Sequence, residues 1–241
     1  ALLLAAGLGV AFFVLVEAKT ASPLIRLEMF RNPVLSAGLA MSVLVLTVAM
    51  ATLVVGPFYL SRALGLDPAA VGIVMSTGPI MSALSGVPAG RIVDRLGAPF
   101  MGIVGLIAMA AGSLAFSSLP EMFGIAGYVA ALIVLAPGYQ LFQAANNTAV
   151  MMDVDPEQRG VVSGMLNLSR NLGGITGASV MGAVFAFTSG TADITTATPA
   201  AVATGMQITF SVATILIVIA LAIAVAGRAL APRASLSGDA S

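Results

Sequence analysis

Residues 90–97 read Gly-Arg-Ile-Val-Asp-Arg-Leu-Gly and separate two long apolar runs, 70–89 and 98–117. Apolar runs of about 20 residues are long enough to cross a membrane as helices. Two spans joined by so few residues must be neighbouring antiparallel helices, and charges crowded between them lie at a membrane face. The stretch therefore predicts a charged turn between two transmembrane helices.

The composition independently indicates a membrane protein. Hydrophobic residues make up 59% of the chain and charged residues 8%, whereas a soluble domain carries roughly 25% charged residues. A mean hydropathy of +1.07 agrees with this reading. The net charge of zero argues against a nucleic-acid partner. Because the sequence has no His and no Cys, we expect no disulfide, metal or other cofactor.

The apolar pattern predicts an all-α polytopic membrane protein with six complete spans and one truncated span. The apolar run 1–16 is followed directly by acidic and basic residues, so we interpret it as a truncated span and not as a signal peptide. A cytoplasmic connector follows at 17–33, then a six-span unit at 34–227 and a cytoplasmic tail at 228–241. The predicted complete spans are 34–60, 70–90, 98–117, 122–147, 160–187 and 206–227.

Proline and glycine residues mark the predicted breaks. Turn-forming residues predict loops at 66–68, 117–120, 153–157 and 188–205. Within the spans, Pro and Gly occur together at four places, where we expect the helix to be interrupted in a bundle that moves. These places are Gly56-Pro57, Gly78-Pro79, Gly86 with Pro88, and Pro137-Gly138.

Basic residues determine the predicted orientation. When the loops are assigned alternately to the two sides, only Arg62 falls on one side. The other side is cytoplasmic by the positive-inside rule, and it includes the carboxyl terminus. Its basic residues are Lys19, Arg26, Arg31, Arg91, Arg95, Arg159, Arg228 and Arg233.

Arg170 is the charge that lies deepest in a predicted span. It follows Arg159 by eleven residues, which places it about 16 Å into the membrane. An Arg at that depth facing lipid costs at least about 2.5 to 3.5 kcal/mol, so it should face protein or a wet cavity. The spans hold no Asp or Glu away from their ends. Its partner is therefore a carboxylate elsewhere, an anionic ligand group, or a set of carbonyl and amide oxygens.

Two polar sectors and one small-residue face accompany this charge. Asn167, Arg170 and Asn171 form a stripe on one span, and a polar sector lies on the span before it. The amides either bond to one another across the helices or line a substrate cavity. Small residues at helical spacing predict a close helix contact at Gly173, Gly174, Gly177 and Gly182. The polar sector on the preceding span comprises Tyr139, Gln140, Gln143, Asn146 and Asn147.

Three stretches, together with the G-x-x-x-D-R-x-G pattern at 90–97, carry a resemblance to a known family. They are similar to the late spans of the fourteen-span drug:proton antiporters of the major facilitator superfamily, and the match runs through nearly all of the chain. The stretches are 138–147 (Gly-Tyr-Gln-Leu-Phe-Gln-Ala-Ala-Asn-Asn), 156–164 (Pro-Glu-Gln-Arg-Gly-Val-Val-Ser-Gly) and 167–174 (Asn-Leu-Ser-Arg-Asn-Leu-Gly-Gly).

The resemblance implies a major-facilitator-type helical bundle, of which this chain is the carboxyl half. It implies multidrug efflux through the bacterial inner membrane, with a central substrate cavity and alternating access. The partners would be membrane lipid, a small-molecule substrate, protons and the missing amino-terminal half. Because no span carboxylate is present, proton coupling would depend chiefly on that half. The implied cavity residues are Tyr139, Gln140, Gln143, Asn146, Asn147, Asn167, Arg170 and Asn171.

The resemblance also implies that residues 90–97 form a cytoplasmic gate loop. Asp94 would accept hydrogen bonds at a helix end in the other half and stabilise the outward-open state. The family loop usually continues with basic residues, where this chain has Ala98 and Pro99. A turn that merely stays in solvent is the simpler alternative. The gate residues would be Gly90, Arg91, Asp94, Arg95 and Gly97.

Two other classes of protein compete with a transporter. A membrane-embedded enzyme needs nucleophiles or acid–base groups gathered at one depth, and without His, Cys or a span carboxylate the chain offers almost none. We therefore expect no enzymatic activity. A non-transporting helical scaffold or channel subunit stays open, since its polar sectors would only join helices. Solute flux in vesicles separates the two.

Overall fold

The computed structural model describes residues 27–152, 154–189 and 197–237. These residues form six long helices, and each is long and apolar enough to cross a membrane. The prediction of an all-α polytopic membrane fold is confirmed. A 3-10 turn, Leu27–Arg31, precedes the helices, and a π-helical turn, Tyr59–Ala63, extends the first. The helices are α1 (Pro33–Phe58), α2 (Pro68–Leu96), α3 (Ala98–Phe123), α4 (Ile125–Met151), α5 (Arg159–Thr188) and α6 (Pro199–Ser237).

Local signals set the start of two helices. The side chain of Asn32 accepts hydrogen bonds from Val34 N (2.9 Å) and Leu35 N (3.2 Å), and Pro33 follows it. Asp67 likewise accepts from Ala70 N (2.9 Å) ahead of Pro68. A capping side chain and a proline at the first helical position satisfy or remove donors that a helix start leaves unpaired. The starts of α1 and α2 thus follow from adjacent residues.

Four predicted boundaries are wrong, because the helices run further than the apolar runs. Residues 90–96 are helical, and Gly97, with a φ of 89°, is the whole break between α2 and α3. Residues 117–120 are also helical, and the break falls at Gly124 (φ 56°). Helix α6 begins at Pro199 and continues beyond 227. Hydropathy locates the membrane, whereas α2 and α3 end at glycines, which accept the positive φ of the turn.

The intramembrane prolines do not break the helices. Helix α1 stays helical through Pro57, α2 through Pro79 and Pro88, and α4 through Pro137. The expected interruptions in α2 and α4 are therefore wrong, whereas after Gly56-Pro57 the α-helix does give way to the π-helical turn Tyr59–Ala63. Neighbouring groups in a membrane bundle can satisfy the carbonyls that proline leaves free.

The predicted amino-terminal segments lie mostly outside the described residues. This holds for the truncated span 1–16 and for residues 17–26 of the predicted connector.

The helices pack around one core. The closest interfaces join α3 to α4 and α1 to α5, while α6 fills the space against α3 and α1. A Cβ built on Gly105 of α3 would lie 2.6 Å from the backbone nitrogen of Phe142 on α4, so only glycine fits there. Rings from three helices stack in the centre, with Phe116 and Phe210 centroids 4.4 Å apart. Helix α2 lies at the margin, against α4.

Candidate functional site

Arg170 is held by amide oxygens from two helices. Its Nη1 donates to Oδ1 of Asn167 at 3.3 Å, within α5, and its Nη2 donates to Oδ1 of Asn147 on α4. Its Nε is buried and has no hydrogen-bond partner among the described residues. The sequence left three kinds of partner open for Arg170, and the structure shows amide oxygens. The Nε donor has no partner among the described residues.

The guanidinium lies closer to the Arg159 end of α5 than the Arg170 backbone does. Asn147 is four residues from the end of α4 at Met151, or about 6 Å along the helix. The Arg170 backbone is about 16 Å from the start of α5. Helical side chains lean toward the amino terminus, which brings the two groups together. The charge therefore lies between the membrane face and the depth of its own backbone.

Helix α4 carries a second hydrogen-bonded pair of polar side chains on the same face as Asn147. Nε2 of Gln143 donates to the hydroxyl of Tyr139 at 2.8 Å. Tyr139, Gln143 and Asn147 succeed one another at four-residue intervals, so they share one face of the helix. The Oε1 atom of Gln143 is buried without a partner among the described residues. This face therefore carries an unused acceptor as well as the unused donor of Arg170.

Gln140, also on α4, forms a hydrogen bond with α2. Its Nε2 donates to the backbone carbonyl of Ser82 at 2.9 Å. A Cβ on Gly86 would lie 3.7 Å from that Nε2, an ordinary contact distance, so Gly86 lies beside the amide. The sequence reading missed Ser82, because every residue has a carbonyl and no side-chain pattern distinguishes this one.

Two predicted cavity residues lie apart from this cluster. Asn146 is buried, and its Nδ2 donates to Gly38 O at 3.2 Å and to Ser42 Oγ at 2.9 Å, both on α1. It joins two helices on another side of α4. Asn171 is exposed, one turn beyond Asn167. The cluster itself consists of Tyr139, Gln140, Gln143, Asn147, Asn167 and Arg170.

The glycine face of α5 packs against α1. A Cβ on Gly173 would lie 2.5 Å from Val43 O, and one on Gly177 would lie 2.7 Å from the Cα of Thr47. Thr47, which the sequence reading missed, donates to Gly173 O at 3.1 Å. A Cβ built on Gly174 or on Gly182 would lie 3.6 Å from a side chain of α1, which is an ordinary contact distance. The close approach therefore rests on two of the four glycines, and it fixes α5 beside α1.

The predicted gate residues occupy the carboxyl end of α2. Arg91, Asp94 and Arg95 are exposed there, with Gly90 half-buried and Gly97 in the turn. The end of a helix carries partial negative charge on its free carbonyls, so Asp94 sits at the unfavourable end of its own helix. A helix amino terminus from elsewhere would compensate this charge.

The cluster suits binding better than catalysis. It offers one fixed positive charge, neutral amides and a hydroxyl, arranged along the facing sides of α4 and α5. No group of His, Cys, Asp and Glu that could hold a metal occurs within the described ranges. The chemistry available is hydrogen bonding to a ligand that presents both an acceptor and a donor.

Comparison with known proteins identifies relatives for most of the chain. The sequence model described as Major Facilitator Superfamily matches residues 1–178. The drug efflux pump JefA of Mycobacterium tuberculosis is 31% identical over 187 residues, covering 77% of this chain and 36% of that protein. The uncharacterized transporter YebQ of Escherichia coli is 29% identical over 170 residues, covering 70% and 37%. The chain thus spans little more than a third of the length of these relatives.

A solved structure shares the fold. It is a bacterial homologue of the iron transporter ferroportin in an outward-facing state, which superposes with a TM-score of 0.66 over 88% of this chain and 49% of that one. The sequence identity is 15%. The likeness therefore supports the helical arrangement alone.

Proposed function

The chain belongs to the major facilitator superfamily, and on that premise we propose that it supplies the carboxyl half of a proton-coupled exporter of amphipathic compounds, within the fourteen-span branch. Its family and its relatives are membrane transporters of small molecules and not enzymes. The name of one relative, a drug efflux pump, supports export of a drug. The Arg170 cluster is the observation that carries the proposal.

Two buried, unpartnered atoms give the cluster its function in this proposal. Among the described residues, the Nε of Arg170 has no acceptor and the Oε1 of Gln143 has no donor. Leaving such a group buried and unpaired costs about 1 to 3 kcal/mol. A substrate that supplies an acceptor to Arg170 and a donor to Gln143 would offset both costs. We therefore assign the cluster to the wall of the substrate cavity.

Exposed apolar faces support a second helical half. On α2, Ile73, Ile80 and Leu84 lie on one side of the helix and are exposed. On α5, Leu168 and Ile175 are exposed beside the polar stripe. Helix α5 itself carries part of the cluster, and α2 packs against α4, which carries the rest. We propose that the amino-terminal half of the protein packs against them and completes the cavity.

The proton-carrying group belongs to that other half in this proposal. The spans of this chain contain no Asp or Glu away from their ends, and Gln and Asn do not titrate. Transport would proceed by rocking of the two halves around the cavity. The distribution of basic residues supports a carboxyl terminus in the cytoplasm, and the bacterial relatives support the inner membrane of a bacterium.

Uptake of an amphipathic fluorescent dye into inverted membrane vesicles tests this function. We expect the complete protein to accumulate dye when a proton gradient is imposed, and to stop when a protonophore collapses it. The 241-residue chain alone should give no coupled uptake, because it lacks a proton carrier. Gradient-independent leakage through the complete protein would favour a channel, and coupled uptake by this chain alone would overturn the division of roles.

A further inference from the structure

A separate cavity of about 160 Å³ lies between α1, α3, α4 and α6. Its wall is mainly apolar and includes Met41, Leu106, Phe142 and Ile223. Asn146 also lines it, but the amide of Asn146 is already bonded to α1. Its neighbour Asn147 bonds to Arg170 instead. The cavity is therefore separated by α4 from the cluster described above.

The cavity extends inward from one membrane face. On α1 its lining runs from Pro33 to Met41, and on α3 from Ala98 to Leu106. Eight residues of helix correspond to about 12 Å in each case. The hydrocarbon of one leaflet is about 15 Å deep, half of the roughly 30 Å of a bilayer. The cavity thus spans most of one leaflet, the one that the basic residues assign to the cytoplasmic side.

The mouth of this cavity is positively charged. Arg228 lines it from α6, and the side chain is exposed there. Helix α3 begins at Ala98 in the same wall, and Gly97 before it provides no capping side chain. The first N–H groups of a helix have no partner within the helix, and they carry partial positive charge. Pro99 has no N–H, so the first turn of α3 offers the amides of Ala98 and Phe100, and these lie with the Arg228 guanidinium at the mouth of an apolar slot.

We propose that this cavity binds one acyl chain of an anionic phospholipid from the cytoplasmic leaflet. Its phosphate would lie between Arg228 and the start of α3. An engineered cavity of about 150 Å³ binds benzene, so this one has room for roughly six carbons of a chain. Basic pockets between transmembrane helices on the cytoplasmic side suit anionic headgroups. The lipid would fill the space between four helices and hold their ends together. The proposal does not depend on what the protein transports.

Native mass spectrometry of the complete, delipidated protein, titrated with dioleoylphosphatidylglycerol, tests the proposal. We expect one lipid to bind more tightly than the rest. Arg228→Gln should weaken that binding about fivefold, equivalent to about 1 kcal/mol for one basic residue near the headgroups. Arg62→Gln, a basic residue assigned to the opposite face, is the matched control and should have no effect.

A second pair of variants tests the apolar slot. Gly227 lines the cavity, and no atom of the described part of the chain lies within 4 Å of its Cβ position, so Gly227→Leu should fill the space and abolish the tight site. Gly72 is the matched control: its Cβ position is equally open among the described residues, but it does not line the cavity, so Gly72→Leu should bind lipid normally. Because Arg228 is exposed, Arg228→Gln leaves the packing intact. This variant therefore still tests lipid binding if Gly227→Leu does not fold.

Three results would overturn the proposal. One is equal lipid binding by the wild type and Gly227→Leu. Another is unchanged affinity in Arg228→Gln. The third is competition by uncharged dioleoylglycerol as effective as that of the phospholipid, since it lacks the phosphate.

Discussion

Replacement of Arg170 is the most informative perturbation of the candidate site. Its Nη atoms bond to Asn147 and Asn167, and its buried Nε has no partner among the described residues, so in our proposal the substrate supplies the acceptor. A hydrogen bond from a charged group contributes about 1.5 to 3 kcal/mol. Losing that bond to the substrate should therefore lower transport efficiency roughly ten- to a hundredfold, since each 1.4 kcal/mol is a factor of ten. Arg170→Gln in the complete protein should show this loss.

The conservative variant separates charge from geometry. Arg170→Lys keeps the positive charge but loses the planar fork that holds two amide oxygens at once. We expect a partial loss of transport, between those of the wild type and Arg170→Gln. Dye uptake in vesicles, normalised to the amount of protein in the membrane, measures both variants. Arg62→Gln is the matched control, because it removes the same charge far from the cluster.

Chemical access tests whether the site is a cavity. The chain has no cysteine, so Arg170→Cys creates its only reactive thiol. A cavity-facing thiol should react with a water-soluble maleimide, and substrate should slow that reaction. An unreactive cysteine together with a fully active Arg170→Gln variant would refute the reasoning, since Arg170 would then serve packing alone.

Three further outcomes follow from the geometry. Asp94→Asn should lower transport while leaving abundance near normal, because the variant removes the charge that we expect to bind a helix end in the other half; equal losses of protein and activity would instead indicate a folding role. Gly177→Ala should cost about 1 to 3 kcal/mol of stability, because the new Cβ meets Thr47 at 2.7 Å. Gly164→Ala on the same helix is the control: its Cβ would meet nothing within 4 Å among the described residues, so the midpoint of thermal unfolding should not fall. Thr47→Val should cost about 1 kcal/mol, because it removes the hydrogen bond to Gly173 O, and an unchanged midpoint would contradict that role.

The six complete spans and the class of fold could be predicted from the sequence alone. Each depends on local information, since an apolar run of sufficient length stays in the membrane whatever its neighbours are. The starts of α1 and α2 are local in the same way, because Asn32 and Asp67 cap the residues that follow them. The helix ends at Leu96 and Phe123 were misjudged, since charged or small residues do not end a helix when a glycine can do so later.

Arg170 illustrates how far the site could be predicted. Its depth and its lack of a carboxylate on its own span follow from counting residues. Its partners do not, because three kinds of acceptor would satisfy the same guanidinium, and the choice depends on which helix lies alongside. The glycine face of α5 was similarly visible in the sequence, whereas its partner α1, and Thr47 within it, were not.

Asn146 and Asn147 show most directly what only the tertiary structure decided. The two residues are adjacent and chemically identical, and the sequence placed both in one cavity wall. In the folded chain Asn146 bonds to α1 and Asn147 bonds to Arg170 on α5. Successive residues of an α-helix point about 100° apart, since 3.6 residues complete a turn. Composition determines that each amide needs a partner in the membrane, and the packing of the neighbouring helices determines which partner it meets.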